Sequence, residues 1–349
     1  LGKADGDNWT WTLLCGGNKA SGTINGGTAI TLKDIAATTG DGSEHKFDKY
    51  AGTIDGKGGG TVNGEKKLVF DHYTTSFLGT LQNFDKVQVT GNSDLALDKA
   101  LGNTVASLTV DAGSALRFNQ DQGATLDITN NGTIRTSHNL TLKSADTGTG
   151  TYWVEGGTLD LAGQAVSGKI SLSAGALANT AGLGAGSVSV SGITGNVNLG
   201  GLDGSKLNSI NMGSGTGTIS GLTGHADLSG SDTQLRLSAA NMGADGTGII
   251  QFNDAANSTL TLGNLTLTAD AVALLAAPGD YAFHVTNAAL HADTNHITLS
   301  EYNGMAWDIT RTEGGQGIIS FGQLDAMVID KGASKNVTSA STLGATHSV

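Results

Sequence analysis

Along the middle of the chain, from about residue 66 to 268, hydrophobic residues come in pairs separated by one residue, usually small or polar, embedded in Gly, Ser, Thr, Asn and Asp. Val87/Val89, Leu108/Val110, Leu116/Phe118, Leu126/Ile128, Leu140/Leu142, Leu159/Leu161, Ile170/Leu172, Val188/Val190, Val197/Leu199, Leu235/Leu237, Leu260/Leu262 and Leu265/Leu267 follow the pattern. A period of two sends both members of a pair to one face of a strand, and the residue between them (Thr109, Thr141, Ser171, Ser189 or Asn198) to the other. One face is buried and the other wet. The predicted strands are short, about three to five residues, recur roughly every 8 to 13 residues, and end at Gly-containing breaks such as Asp111–Ser114 and Gly200–Gly201.

So short a strand buries too little to stand alone. It becomes stable when similar units stack, each backbone group pairing with the coils on either side at about 4.8 Å, which is the logic of a parallel β-solenoid. Coils of roughly 20 to 30 residues, on the order of eight to ten of them, are the expectation. The competing all-β architecture is an antiparallel sandwich, favoured by Asn-Gly and Asp-Gly steps at Asn25–Gly26, Asn63–Gly64, Asn131–Gly132, Asp203–Gly204, Asp245–Gly246 and Asn303–Gly304. Sandwich cores spend large aromatics between their sheets. Here no Trp lies between Trp153 and Trp307, and no Tyr between Tyr152 and Tyr281, which fits a narrow lumen of Val, Leu and Ile better.

Four segments follow from this reading. Residues 1–65, with the alternating stretch Trp9-Thr10-Trp11-Thr12-Leu13, are expected to form an N-terminal cap and the first coils; 66–268 the solenoid; 269–330 a C-terminal cap; and 331–349 a polar tail or linker. The C-terminal cap is predicted to hold a short helix over 270–277, with Asp270 as N-cap and Pro278-Gly279 as its stop, then longer alternating strands. Open solenoid ends expose strand edges, which is why distinct terminal segments are expected.

Composition narrows the chemistry. Of 349 residues 54 are Gly, one is Pro and one is Cys, and 19 Lys+Arg against 31 Asp+Glu leave a net charge of −12, so binding of nucleic acid through a basic surface is not expected. With Cys15 alone, no intrachain disulfide, Cys-based zinc cage or Fe–S centre can be assembled; an intermolecular disulfide stays open. No apolar run is long enough to cross a bilayer as a helix. The start at Leu1, without Met or a leader, reads as a mature or excised segment.

The units Asn264-Leu-Thr-Leu-Thr268, Asn139-Leu-Thr-Leu142 and Gly157-Thr-Leu-Asp-Leu161, set in an acidic Ser/Thr/Asn/Gly-rich chain over roughly 60–330, resemble the β-strand repeats of bacterial autotransporter passenger domains. That resemblance implies a right-handed parallel β-helix exported across an outer membrane and located at the cell surface or outside the cell. It implies a non-enzymatic protein acting in adhesion or self-association, with a second copy or a host or cell-surface glycan or protein as partner. The chain departs from the pattern in having no translocator-barrel segments after Lys331 and less regular repeats. A structural subunit of an extracellular fibre and a glycan-active β-helix enzyme are the alternatives.

Reaction centres are not evident, and no catalytic, cofactor-binding or metal-ligating residue is assigned. Gly56-Lys-Gly-Gly-Gly-Thr-Val-Asn-Gly-Glu65 has an anion where a phosphate loop needs Lys and Ser/Thr. Asp5-Gly-Asp7-Asn8 opens like a calcium loop, but Thr10 and Gly16 stand where its Gly and Glu belong. His45, His72, His138, His225, His284, His291, His296 and His347 make no helical metal motif, and no Gly-x-Ser-x-Gly elbow occurs. The sequons at Asn131, Asn139, Asn257, Asn264 and Asn336 are chance products of Asn/Thr-rich strands. The glycan-cleaving alternative needs carboxylates about 5 Å apart on adjacent coils, for which Asp127, Asp160, Asp227 and Asp232 are the candidates.

Overall fold

The computed structural model describes 26–33, 52–101, 105–212, 217–228 and 235–241 without interruption, together with Thr268 and the strands and helix that lie outside those ranges. It is all-β, and its parallel stacked strands form a β-solenoid of about eight turns. The chain divides into two compact units, Leu1–Ile170 with Leu177–Gly184, and Ser171–Ala176 with Ala185–Val349.

In the N-terminal unit three walls are stacked. Wall one consists of Thr28–Lys33, Lys66–Asp71, Phe84–Thr90, Val105–Val110 and Asp127–Asn130, every neighbouring pair parallel. Its inward ladder runs Leu68, Val87, Leu108, Ile128. Wall two consists of Ser76–Phe77, Asp94–Leu97, Ala115–Phe118, Thr133–Thr136 and the first part of Thr151–Asp160. Its inward ladder runs Leu95, Leu116, Ile134, Tyr152, and the interval from Leu116 to Ile134 recurs unchanged from Ile134 to Tyr152. Wall three begins with Leu14–Cys15, Thr53–Asp55 and Thr80–Gln82, and further along pairs Leu140–Thr141 with Leu159–Asp160. Coils in this unit are thus near the lower end of the expected length.

The hydrophobic pairs behave as their period requires. Those from Val87/Val89 to Leu235/Leu237 are all buried, each such side chain contributing about 1.5–3 kcal/mol relative to exposure. Aromatics gather in the first coils, where Phe70 meets Tyr73 and Phe77 edge-on with ring centroids 5.2 and 5.6 Å apart. Asn131–Gly132 is a corner between walls one and two, and the strands beside Asn63–Gly64 and Asp203–Gly204 pair parallel and form no hairpin there, while Asn25, Asp245–Gly246 and Asn303–Gly304 lie outside the described residues. At Asp111-Ala112-Gly113-Ser114 the Ser114 amide donates to the Asp111 carbonyl while Gly113 takes φ of +80°, a left-handed conformation that disfavours other residues. Asp55, buried at a wall-three corner, accepts from the Lys57 amide, Gln82 Nε2 and Asn83 Nδ2, tying its coil to the next.

The C-terminal unit keeps the parallel rule with lengthening coils. One ladder runs Val190, Ile210, Leu235, Leu265, and another Val197, Ile219, Ile250, Val285, the interval growing at every step of both. The chain between successive rungs lengthens accordingly, and register shifts occur at Val188/Ser189, Asn198/Leu202 and Ile219/Leu222. One insertion contains the helix Ala269–Leu275. Asp270 is not its N-cap, as the sequence suggests, but lies in its first turn, accepting from the Thr268 hydroxyl and the Ala239 amide. Tyr281–Thr286 pairs parallel with Ile249–Phe252 on one side and antiparallel with Gln316–Gln323 on the other, and Met305–Thr312 completes the hairpin. The parallel edge of this wall is therefore covered by antiparallel strands. Residues 331–349 lie outside the described residues.

Candidate functional site

The register shows which outward residues share a ladder. In Ala115–Phe118, Leu116 and Phe118 point into the core, so Arg117 between them projects outward. The same alternation places Arg135 and Trp153 outward, and the pairings align Ala96, Arg117, Arg135 and Trp153 on four successive coils of wall two. Their backbones are one strand spacing apart, about 4.8 Å per rung.

Glu155, two residues beyond Trp153, turns back over this file. Its Oε2 lies 2.5 Å from Arg117 Nη1 and its Oε1 3.6 Å from Arg135 Nη1. Arg135 Cζ stands 5.6 Å from the Trp153 ring centroid, within cation–π range. The Arg117 and Arg135 side chains are 37% and 40% exposed, and Arg135 Nε is buried without a hydrogen-bond partner. Two guanidiniums against one carboxylate leave one positive charge in surplus, on a chain whose overall charge is −12. In the adjoining outward column Asp94, Ala115, Thr133 and Thr151 are aligned, and exposed Lys169 follows, its amide donating to the Gly150 carbonyl.

The candidate carboxylates are kept apart. Asp127 stands on wall one beside Ser107 and accepts from Lys143 Nζ at 2.8 Å and the Ser144 hydroxyl at 2.7 Å. Those two donations, with the Lys143 charge, hold its carboxyl below the usual value. Asp160 stands on wall three beside Thr141, accepting from the Ala162 amide and Asn179 Nδ2. Asp227, in the C-terminal unit, pairs with Thr261. Asp232 lies outside the described residues. None of the three described candidates has another as its ladder neighbour, so the spacing a retaining glycosidase needs is not formed among them.

Other sequence features resolve similarly. Asp5 and Asn8 are cross-strand partners of the antiparallel pair Lys3–Asp5 and Asn8–Thr10. The Gly-rich stretch ending at Glu65 leads into the strand Lys66–Asp71, not a helix. His72 Nδ1 lies 2.6 Å from Asp71, and His138 bonds Ser137. Among the described residues no group of three or more His, Cys, Asp or Glu is placed to hold a metal, and no helix is long and apolar enough to cross a membrane.

The Arg117–Arg135–Trp153 file is not evident from reading the sequence as short strands. Its signal is the equal interval between successive members, which matches the local coil length and is meaningful only once that length is known. No protein-family model matches the chain, and neither curated proteins nor solved structures show a significant match to it.

Proposed function

We propose that this protein is a non-enzymatic β-solenoid of the bacterial cell surface, displayed there or released, whose walls act in adhesion or self-association. The observation that carries the reading is the in-register presentation of polar side chains on successive coils. Thr109 and Thr129 are ladder neighbours, as are Thr133 and Thr151, and the Ser209 hydroxyl donates to that of Ser189 at 3.2 Å. Repeated weakly binding groups on a fixed lattice gain strength from avidity. The sequence resemblance to passenger domains supports the setting. The antiparallel hairpin covering the edge of Tyr281–Thr286 speaks against a fibre that grows by strand addition at that edge.

Two acidic copies repel before their faces can meet, and the screening length falls from about 30 Å at 0.01 M salt to about 3 Å at 1 M. Sedimentation velocity of the purified chain across that range is expected to show association rising with salt. A protein monomeric throughout, which also fails to promote clumping or surface attachment when displayed on cells, contradicts the reading.

A further inference from the structure

We propose that the outward file of wall two, Arg117–Arg135–Trp153, is a binding strip for an acidic polysaccharide, a linear chain of carboxylate-bearing sugars lying across the coils. The inference rests on the adhesion reading and gives it a ligand class.

Charge is the first argument. An anion approaching a chain of net charge −12 is repelled in general, yet this file carries a surplus positive charge, while in the neighbouring column exposed Lys169, one rung past Trp153, and exposed Asp94, one rung before Arg117, offset each other. Such a local reversal of sign selects where an anion can settle.

Donor geometry is the second. A guanidinium offers five N–H donors in a planar fork that matches a carboxylate. Arg117 uses one arm on Glu155, while Arg135 is only at ion-pair distance from it, 3.6 Å, and its Nε is without a partner. Both side chains are more than one-third exposed, so their remaining Nη donors can be reached, whereas Arg135 Nε is buried and takes no part in the contact.

Periodicity is the third. The two arginines sit one rung apart, about 4.8 Å, in a straight file fixed by the strand ladder. An extended polymer with one carboxylate per sugar presents charges at a similar repeat. Trp153 on the next rung is half-buried and already oriented by Arg135, and it offers an apolar surface to the C–H groups of a sugar ring.

The test measures binding of the full chain to polygalacturonate, to its methyl ester, and to single-stranded DNA, using R117Q/R135Q, R135K and W153A variants whose circular dichroism matches the parent's. Expected are binding to polygalacturonate that weakens with salt, loss on methyl esterification, weaker binding in W153A, and an affinity at least about tenfold lower in R117Q/R135Q. R135K, which keeps the charge and loses the fork, is expected to fall between parent and double variant, and it serves where the double variant does not fold. Equal binding of the methyl ester, tighter binding of DNA, or affinity unchanged in R117Q/R135Q or R135K overturns the proposal. If the arginine variants instead alter self-association while polygalacturonate is not bound, the file is a contact between copies and the saccharide assignment falls. Retained clumping or attachment of displaying cells in those cases leaves the adhesion reading standing, which separates the two failures.

Discussion

Tyr152 occupies the position on wall two where earlier coils place Leu95, Leu116 and Ile134, and it brings a hydroxyl into the core. That hydroxyl donates to Asp146 Oδ2 at 2.7 Å, while Asp146 Oδ1 accepts from the amides of Gly148 and Asn130. Asn130, which follows Val89 and Val110 on a second inward ladder of wall one, is itself satisfied through the Gly132 amide and the Thr151 carbonyl. All three side chains are buried, so the cluster stabilises the fold only while each polar atom is paired. Burial first, and then the Asp146 charge and the hydrogen bond to it, push the Tyr152 phenol well above its usual value. Tyr152→Phe is expected to cost about 1–3 kcal/mol in urea unfolding at neutral pH, because a buried carboxylate loses a donor. Above about pH 10 an unfolded chain releases the phenolic proton that the folded one keeps, so the parent's advantage is complete below that pH and shrinks above it. A variant as stable as the parent at neutral pH would show that the cluster is incidental.

At the scale of strands and corners, the glycines at 132, 150 and 168 mark where coils pass too closely for a side chain. The Thr133, Thr151 and Lys169 amides donate in turn to the carbonyls of Ser114, Gly132 and Gly150, and a Cβ on Gly150 would run into the Gly132 carbonyl oxygen. Gly150→Ala is therefore expected to destabilise by about 2–4 kcal/mol, read as a lower urea midpoint, since backbone has to shift on two coils. Gly163→Ala meets nothing within 4 Å but must hold a φ of +74°, and it should cost less, about 1 kcal/mol. Equal effects at both sites would count against close corner packing. Strands of this kind are plain in the sequence because a two-residue period is local: Leu116 and Phe118 face inward whatever their neighbours. The ladders are less legible, because a residue's partner on the next coil depends on every insertion between them. The interval is constant from Gly132 to Gly150 to Gly168 and from Arg117 to Arg135 to Trp153, but it lengthens from coil to coil in the C-terminal unit. Asp127 and Asp160 look equivalent in sequence and fall on different walls for that reason. The polar core group is hidden as well, since Asn130 and Asp146 are buried where polar residues elsewhere mark a wet face or a turn.

For the molecule as a whole, coil-on-coil pairing determines what can be displayed. It turns a low-charge, glycine-rich chain into walls with straight outward columns, and it places Arg117, Arg135 and Trp153 together although a full coil of sequence separates each from the next. Adhesion, self-association and the saccharide strip all depend on that pairing. The direct measurement is NMR detection of backbone contacts in wall two of the isotopically labelled chain. Parallel coils predict contacts between residues of constant difference: Leu116 with Ile134, Phe118 with Thr136, and Ile134 with Tyr152. Contacts of constant sum, such as Leu116 with Thr136 alongside Phe118 with Ile134, would mean an antiparallel hairpin and would contradict the solenoid.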